Sequence, residues 1–83
     1  MQDLTVTTME GLRQALQDLH IPNWAYALQE VEDNRLCVLH NGASWEVFFL
    51  EKGQRFDEQT FFDAAEACRY VLDNLTRSFL KGV

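Results

Sequence analysis

The sequence predicts a small α+β domain: an N-terminal helix, an antiparallel meander of three or four strands, and a long C-terminal helix, packed as two layers. Apolar residues recur at helical spacing near both ends of the chain, whereas the middle alternates with a period of two and is interrupted by turn dipeptides. Short connections between successive strands favour antiparallel pairing. Because 83 residues with 47% apolar content can build one core, we expect residues 1–83 to form a single domain.

The first helix is predicted to begin after Thr7. Thr7 and Glu10 have the spacing of a capping box, in which each side chain accepts a hydrogen bond from a free backbone amide near the other residue. Pro22 disfavours helical geometry at the residue before it, so the helix should end near His20. Between these limits lies an apolar stripe made of Leu12, Ala15, Leu16 and Leu19.

The middle of the chain predicts the strands. Large and small side chains alternate over residues 24–29, which favours a first strand. A turn at Asp33-Asn34 leads to a second strand, Arg35–His40. The Asn41-Gly42 pair then predicts a type I′ hairpin turn into a third strand, Ala43–Leu50. On the third strand, one face is expected to carry Trp45, Val47 and Phe49, and the other Phe48 and Leu50.

A turn at Lys52-Gly53 is expected to lead to a short fourth strand, Gln54–Phe56. Glu51 and Arg55 flank this turn and could pair across it. The last helix is predicted to start near Thr60 and to reach about Leu80. Its apolar face is expected to contain Phe61, Ala65, Cys68 and Leu72.

Charge and hydropathy limit the classes of partner. The 13 acidic residues outnumber the seven basic ones and give a net charge of −6. Nucleic-acid binding requires Lys and Arg against the phosphates, so it is disfavoured, and an acidic surface also repels anionic lipid. The longest apolar run, Val47–Leu50, is too short to span a bilayer. The N-terminal residues lack the pattern of a signal peptide, so we expect a cytoplasmic protein.

The sequence offers no pattern typical of catalysis or metal binding. Its four glycines are scattered rather than grouped in a phosphate loop. His20 and His40 lack the spacing of a metal pair. Cys37 and Cys68 fall in a predicted strand and on a predicted helix core face, where a free thiol behaves as a small hydrophobic group. We therefore expect a protein that is not an enzyme, without catalytic residues, cofactor or metal.

Two acidic clusters are the candidate partner-binding residues. The first lies at the predicted first turn and contains Glu30, Glu32 and Asp33. The second lies around the predicted start of the last helix and contains Asp57, Glu58, Asp63 and Glu66. Acids near a helix N-terminus also stabilise it through the helix dipole, by about 0.3–1 kcal/mol each, so the second cluster has a structural explanation as well. As docking faces, both clusters would attract a basic protein.

Several motifs together resemble one family. They are a Tyr-bearing first strand (Trp24-Ala-Tyr26), a strand with Trp45, Val47 and Phe48, the Glu51-x-Gly53-x-Arg55 turn, and Ala65-Glu66-Ala67-Cys68 after Phe62. This pattern resembles small bacterial immunity proteins that are encoded beside polymorphic or contact-dependent growth-inhibition toxins. The resemblance implies a non-catalytic cytoplasmic antidote that binds and occludes one cognate toxin domain, in many such systems a nuclease with a basic cleft. The alternative is a general acidic interaction or adaptor domain without a toxin partner.

Overall fold

The computed structural model describes residues 6–79, which form a four-stranded sheet with a helix at each end of the chain. The strands lie side by side in chain order, β1-β2-β3-β4. The predicted α+β fold is therefore confirmed. In chain order the elements are helix α1 (Met9–Asp18), a 3₁₀ helix (Asn23–Ala25), strands β1 (Tyr26–Leu28), β2 (Arg35–Asn41), β3 (Ser44–Glu51) and β4 (Gln54–Phe61), and helix α2 (Ala64–Phe79).

Helix α1 begins one residue later than predicted. The hydroxyl of Thr8, not that of Thr7, accepts a hydrogen bond from the Gly11 amide at 3.0 Å, so the predicted capping box with Glu10 was wrong. Thr7 and Thr8 are adjacent, and either hydroxyl could cap the helix. The sequence does not show which of the two occupies the N-cap position. The helix ends near His20, as predicted. His20 has a φ of 61°, which is incompatible with a right-handed helix. The buried side of α1 consists of Met9, Leu12 and Leu16.

Strand β1 differs from the prediction in length and direction. It has three residues instead of the predicted 24–29, and it pairs with β2 in parallel rather than antiparallel. Parallel neighbours ordinarily need a long crossover. Because β1 has only three residues, the segment 29–34 is long enough to return the chain to the beginning of β1, where β2 starts in the same direction. Left-handed conformations at both ends of this segment, Gln29 (φ 63°) and Asn34 (φ 64°), accompany the two reversals of direction.

Two tight hairpins join β2, β3 and β4. The first turn consists of Gly42 and Ala43, and only Gly42 has a positive φ, 63°. This pattern is that of a type II′ turn, so the predicted type I′ turn at Asn41-Gly42 was wrong. The second turn is confirmed: Lys52 and Gly53 have φ values of 53° and 76°, as a type I′ turn requires at both central positions.

Strand β4 is longer than predicted, and α2 therefore starts later. The predicted strand ended at Phe56 and the predicted helix began near Thr60, but both residues belong to the eight-residue strand β4. Helix α2 begins after Asp63, whose carboxylate accepts a hydrogen bond from the Ala65 amide at 3.0 Å. Pairing with β3, rather than burial, holds β4 in place, since all but its last residue are exposed.

The main core lies between the two helices and one face of the sheet. On α2 the buried residues are Ala67, Cys68, Val71 and Leu75. Of the predicted apolar face, Cys68 is buried, and Phe61 and Leu72 are partly buried and pack against this core, but Phe61 lies in β4 rather than in α2. The core also contains Leu12 and Leu16 of α1 and Tyr26, Leu28, Leu36, Val38 and Val47 of the sheet.

The opposite face of the sheet carries a second, smaller cluster. Its buried members are Ala27, Cys37, Phe48 and Leu50. The segment 29–34 lies against it, where the Cys37 thiol donates to the Glu32 carbonyl at 3.4 Å. The guanidinium of Arg55 covers the Phe48 ring, 4.0 Å from its centroid. The predicted alternation along β3 is thus confirmed, since Val47 belongs to the main core and Phe48 to this cluster.

Candidate functional site

A groove of about 420 Å³ opens between the C-terminal half of α2, the 3₁₀ helix and the sheet. This volume falls in the range of about 300–1,000 Å³ that is typical of ligand-binding pockets. Of the described residues that line it, Asp57 alone is charged. The aromatic lining residues are Trp24, Phe49, Tyr70 and Phe79, and the neutral polar ones are Asn34, Asn74 and Ser78.

Two exposed aromatic residues form the rim of the groove. Trp24 is 60% exposed and Phe79 is 39% exposed. Their ring centroids lie 5.7 Å apart at an interplanar angle of 67°, which is an edge-to-face contact. Trp24 lies on the 3₁₀ helix rather than in the predicted first strand, so its side chain is turned out of the sheet. Exposed aromatic surface of this kind is typical of binding sites.

The charge of the groove comes from a β-bulge. The pairing of β3 with β4 shifts by one residue between Val47 and Phe49, opposite the point where Asp57 lies. Asp57 has a φ of 54°, the left-handed region that aspartate and asparagine enter more readily than most other residues. A bulge redirects the side chain of the extra residue. It thereby places a carboxylate in a groove whose other described lining residues are neutral.

The second acidic cluster does not form one face. Asp57 lines the groove, whereas Glu58 pairs with Arg55 on the other side of the sheet, at 2.8 Å. Asp63 caps α2. Glu66 lies in the first turn of α2. The location predicted for Asp57 and Glu58, at a helix start, was wrong because both lie in β4.

In the first acidic cluster, Asp33 stabilises the fold through hydrogen bonds to the backbone. Both carboxylate oxygens of Asp33 accept hydrogen bonds, from the backbone amides of Lys52 and Gly53, each at 3.1 Å. Asp33 therefore braces the β3–β4 turn from the segment 29–34. Glu30 and Glu32 are exposed on the same segment. They are the members of this cluster that remain accessible to a partner.

An ion-pair network lies on the sheet face opposite the groove. The Nη1 atom of Arg55 contacts Glu46 at 3.1 Å as well as Glu58 at 2.8 Å, whereas the sequence had suggested Glu51 as its partner. Hydrogen bonds from the side chains of Asn41 and then Arg55 lower the pKa of Glu46. Hydrogen bonds to Glu58 and then Glu46 raise the pKa of Arg55. This network is structural, because it holds the guanidinium over the buried ring of Phe48.

The other reactive side chains are buried or dispersed. Both cysteines are free, and burial raises the pKa of the Cys37 thiol and of the Cys68 thiol. Within residues 6–79, His, Cys, Asp and Glu side chains form no group of three or more that could hold a metal ion. No helix in this part of the chain is long and apolar enough to cross a membrane.

The sequence matches no protein-family model, and comparisons with curated proteins and with solved structures give no significant match. We base a functional hypothesis on the groove, because it combines exposed aromatic residues with a carboxylate. Sequence reasoning missed it, because Trp24 was placed in a strand and Asp57 beside a helix. The available signal was Pro22-Asn23 directly before Trp24, a pair that favours a turn.

Proposed function

We propose that this chain is a non-catalytic protein-binding domain that docks on a basic partner through the groove. The observation that carries the proposal is the exposed aromatic rim, Trp24 and Phe79, beside the carboxylate of Asp57. Tryptophan and tyrosine dominate the binding energy of protein interfaces, where a partner covers them and excludes water. A carboxylate next to them selects a partner of opposite charge.

In its specific form, the proposal is that the chain is an immunity protein. It would act in the cytoplasm, bind one cognate toxin domain and occlude the active site of that domain. The resemblance of its motifs to such proteins and its net charge of −6 support this form. If the toxin is a nuclease, the carboxylates of the antidote take the positions of substrate phosphates against basic residues of the cleft.

The hydrogen bonds of the acidic residues support a choice among them for the proposed docking face. Asp33, Glu58 and Asp63 are engaged in hydrogen bonds within the fold. Of the remaining acids of the two clusters, Asp57 lies in the groove and Glu66 lies beside Tyr70, a residue that also lines the groove. We therefore assign the docking face to the side of the molecule between α2 and β4.

The decisive test is co-expression of the chain with the protein encoded beside it. The expected result is that the neighbouring protein arrests growth alone, and that this chain restores growth and forms a stable complex with it. A complex with a neighbour that is not toxic would favour the alternative, a general acidic interaction domain. Failure to bind any neighbouring product would refute the immunity proposal.

The docking face is tested with two matched double variants. One neutralises Asp57 and Glu66 as the amides, and the other neutralises Glu30 and Glu32. The first should slow association with the partner, and the effect should shrink at high salt, because charges are screened beyond about 8 Å at physiological ionic strength. The second should leave association nearly unchanged. The reverse ranking would move the docking face to the segment 29–34.

A further inference from the structure

The lining of the groove selects the chemistry of what enters it. The lining residues with polar side chains are Asp57, Asn34, Asn74, Ser78 and Tyr70, and no cation is among the described lining residues. These groups supply several hydrogen-bond acceptors. Aromatic side chains also line the groove, and the face of an aromatic ring has a negative potential that attracts cations. Carboxylate, acceptors and ring faces all favour a positively charged group that donates hydrogen bonds.

The same lining disfavours the other classes of occupant. An apolar side chain in the groove would remove water from the carboxylate of Asp57 without pairing it, and burying an unpaired charge is costly. An anionic group would be repelled by that carboxylate. Of these classes, only a cation can both pair with the carboxylate of Asp57 and interact favourably with the aromatic rings.

Shape distinguishes between the two basic side chains. A guanidinium is planar, stacks on aromatic rings and donates through a fork of five N–H groups to a carboxylate. A lysine ammonium is compact and strongly hydrated, and it would use the aromatic walls less fully. Trp24 and Phe79 contact each other edge to face at the exposed rim, so a long side chain of a neighbouring protein would enter the groove beside this aromatic pair rather than between the two rings.

We infer that the groove receives an arginine side chain of the partner, whose guanidinium packs against the aromatic walls and pairs with Asp57. This inference rests on the proposed function, since it names the group that a basic docking partner inserts. It makes Trp24, Tyr70 and Asp57 the centre of the interface. The remaining acidic residues then contribute mainly to the rate of encounter.

The test needs no toxin, because the probe is a capped arginine, N-acetyl-arginine methylamide. It is titrated into the ¹⁵N-labelled protein and followed by amide and indole N–H chemical shifts. Saturable shifts should centre on Trp24, Asp57 and Tyr70. The capped citrulline analogue has nearly the same shape without the charge, and it should bind about five- to ten-fold more weakly. Equal binding of citrulline, or preferential binding of capped leucine, would overturn the inference.

Two variants complete the test. Asp57→Asn should weaken arginine binding about five- to ten-fold and leave the fold intact, since asparagine also tolerates a positive φ. The matched control, Glu32→Gln, removes one charge on the segment 29–34 and should change nothing. An unaffected Asp57→Asn variant would refute the pairing.

Lys81, a basic residue that follows α2 closely in sequence, provides a control for occupancy of the groove by this chain itself. If it filled the groove, Lys81→Ala would strengthen binding of the probe several-fold, and the inference would fall. Unchanged binding in that variant supports an external arginine. If the probe binds but no neighbouring protein does, the inference stands and the immunity proposal fails. If the toxin binds Asp57→Asn and Trp24→Ala as tightly as the natural chain, the inference and docking through the groove both fail, while the immunity role itself stands.

Discussion

The two neighbouring phenylalanines of β3 should differ sharply in what they contribute to stability. Phe48 is completely buried, beneath the guanidinium of Arg55 at 4.0 Å from the ring centroid. Phe49 is half-buried and lines the groove. Replacement of a buried phenylalanine by alanine costs about 3–5 kcal/mol. Loss of the cation–π contact adds about 0.5–1 kcal/mol.

These costs are large for a chain of this size. A folded domain gains about 0.05–0.15 kcal/mol per residue, which for 83 residues is about 4–12 kcal/mol. Phe48→Ala should therefore remove more than about a quarter of the free energy of unfolding. Phe49→Ala creates no comparable cavity. We therefore expect it to lower the free energy of unfolding by about 1–2 kcal/mol, in proportion to the smaller buried area of Phe49.

The measurement is equilibrium urea unfolding followed by far-ultraviolet circular dichroism, with the midpoint and the slope fitted for the natural chain and both variants. Phe48→Leu serves as a control that keeps most of the apolar volume, and it should lie between the natural chain and Phe48→Ala. The reasoning is refuted if Phe49→Ala destabilises the protein as much as Phe48→Ala does. It is also refuted if Phe48→Ala costs less than about 1 kcal/mol, because that cost is incompatible with full burial.

Three further changes test other contacts of the fold. Thr8→Ala should lower the free energy of unfolding by about 1 kcal/mol through loss of the α1 cap, whereas Thr7→Ala should have almost no effect in the same urea titration. Asp33→Ala leaves two turn amides without their carboxylate and should cost about 1–3 kcal/mol, whereas Glu32→Ala should stay within about 0.5 kcal/mol. Side-chain hydrogen bonds lower the pKa of Glu46 in the folded protein. Ionised Glu46 therefore stabilises the fold fully above the ordinary glutamate pKa of about 4.3, and this contribution is lost as pH falls through the lower pKa of the folded state. Glu46→Gln should therefore flatten the acid side of the profile of stability against pH, measured as urea midpoints between about pH 3 and about pH 7; an unchanged slope would contradict this assignment.

The fold was predictable where local chemistry determines it. Helix α1 follows from an apolar stripe that ends before Pro22, and β3 follows from an apolar run between two turn signals. The Lys52-Gly53 turn was placed correctly because glycine enters the left-handed region at low cost. The alternation of Val47 and Phe48 between the two faces of β3 follows from the period of a strand alone.

The errors arose where tertiary contacts decide. Strand β4 is polar and exposed, so its sequence carries little strand signal, and only its pairing with β3 makes it a strand. The parallel direction of β1 depends on two left-handed residues, Gln29 and Asn34, which are not glycines. The groove escaped prediction because it combines residues that are distant in sequence. In particular, nothing local to Asp57 indicates that a bulge turns it toward α2.

The chain order of the strands sets the order in which the molecule can fold. Strands β2, β3 and β4 are joined by two-residue turns, and proteins rich in such local contacts fold quickly. A hydrogen bond between residues 60 apart joins the two helices, where the Cys68 thiol of α2 donates to the Thr8 carbonyl at the start of α1, at 3.5 Å. Closing a loop of 60 residues costs far more chain entropy than closing a two-residue turn, so we expect the hairpins to form first and the two helices to meet last. Amide hydrogen exchange should then protect the centre of β3 longest, whereas α1 opens before the sheet does.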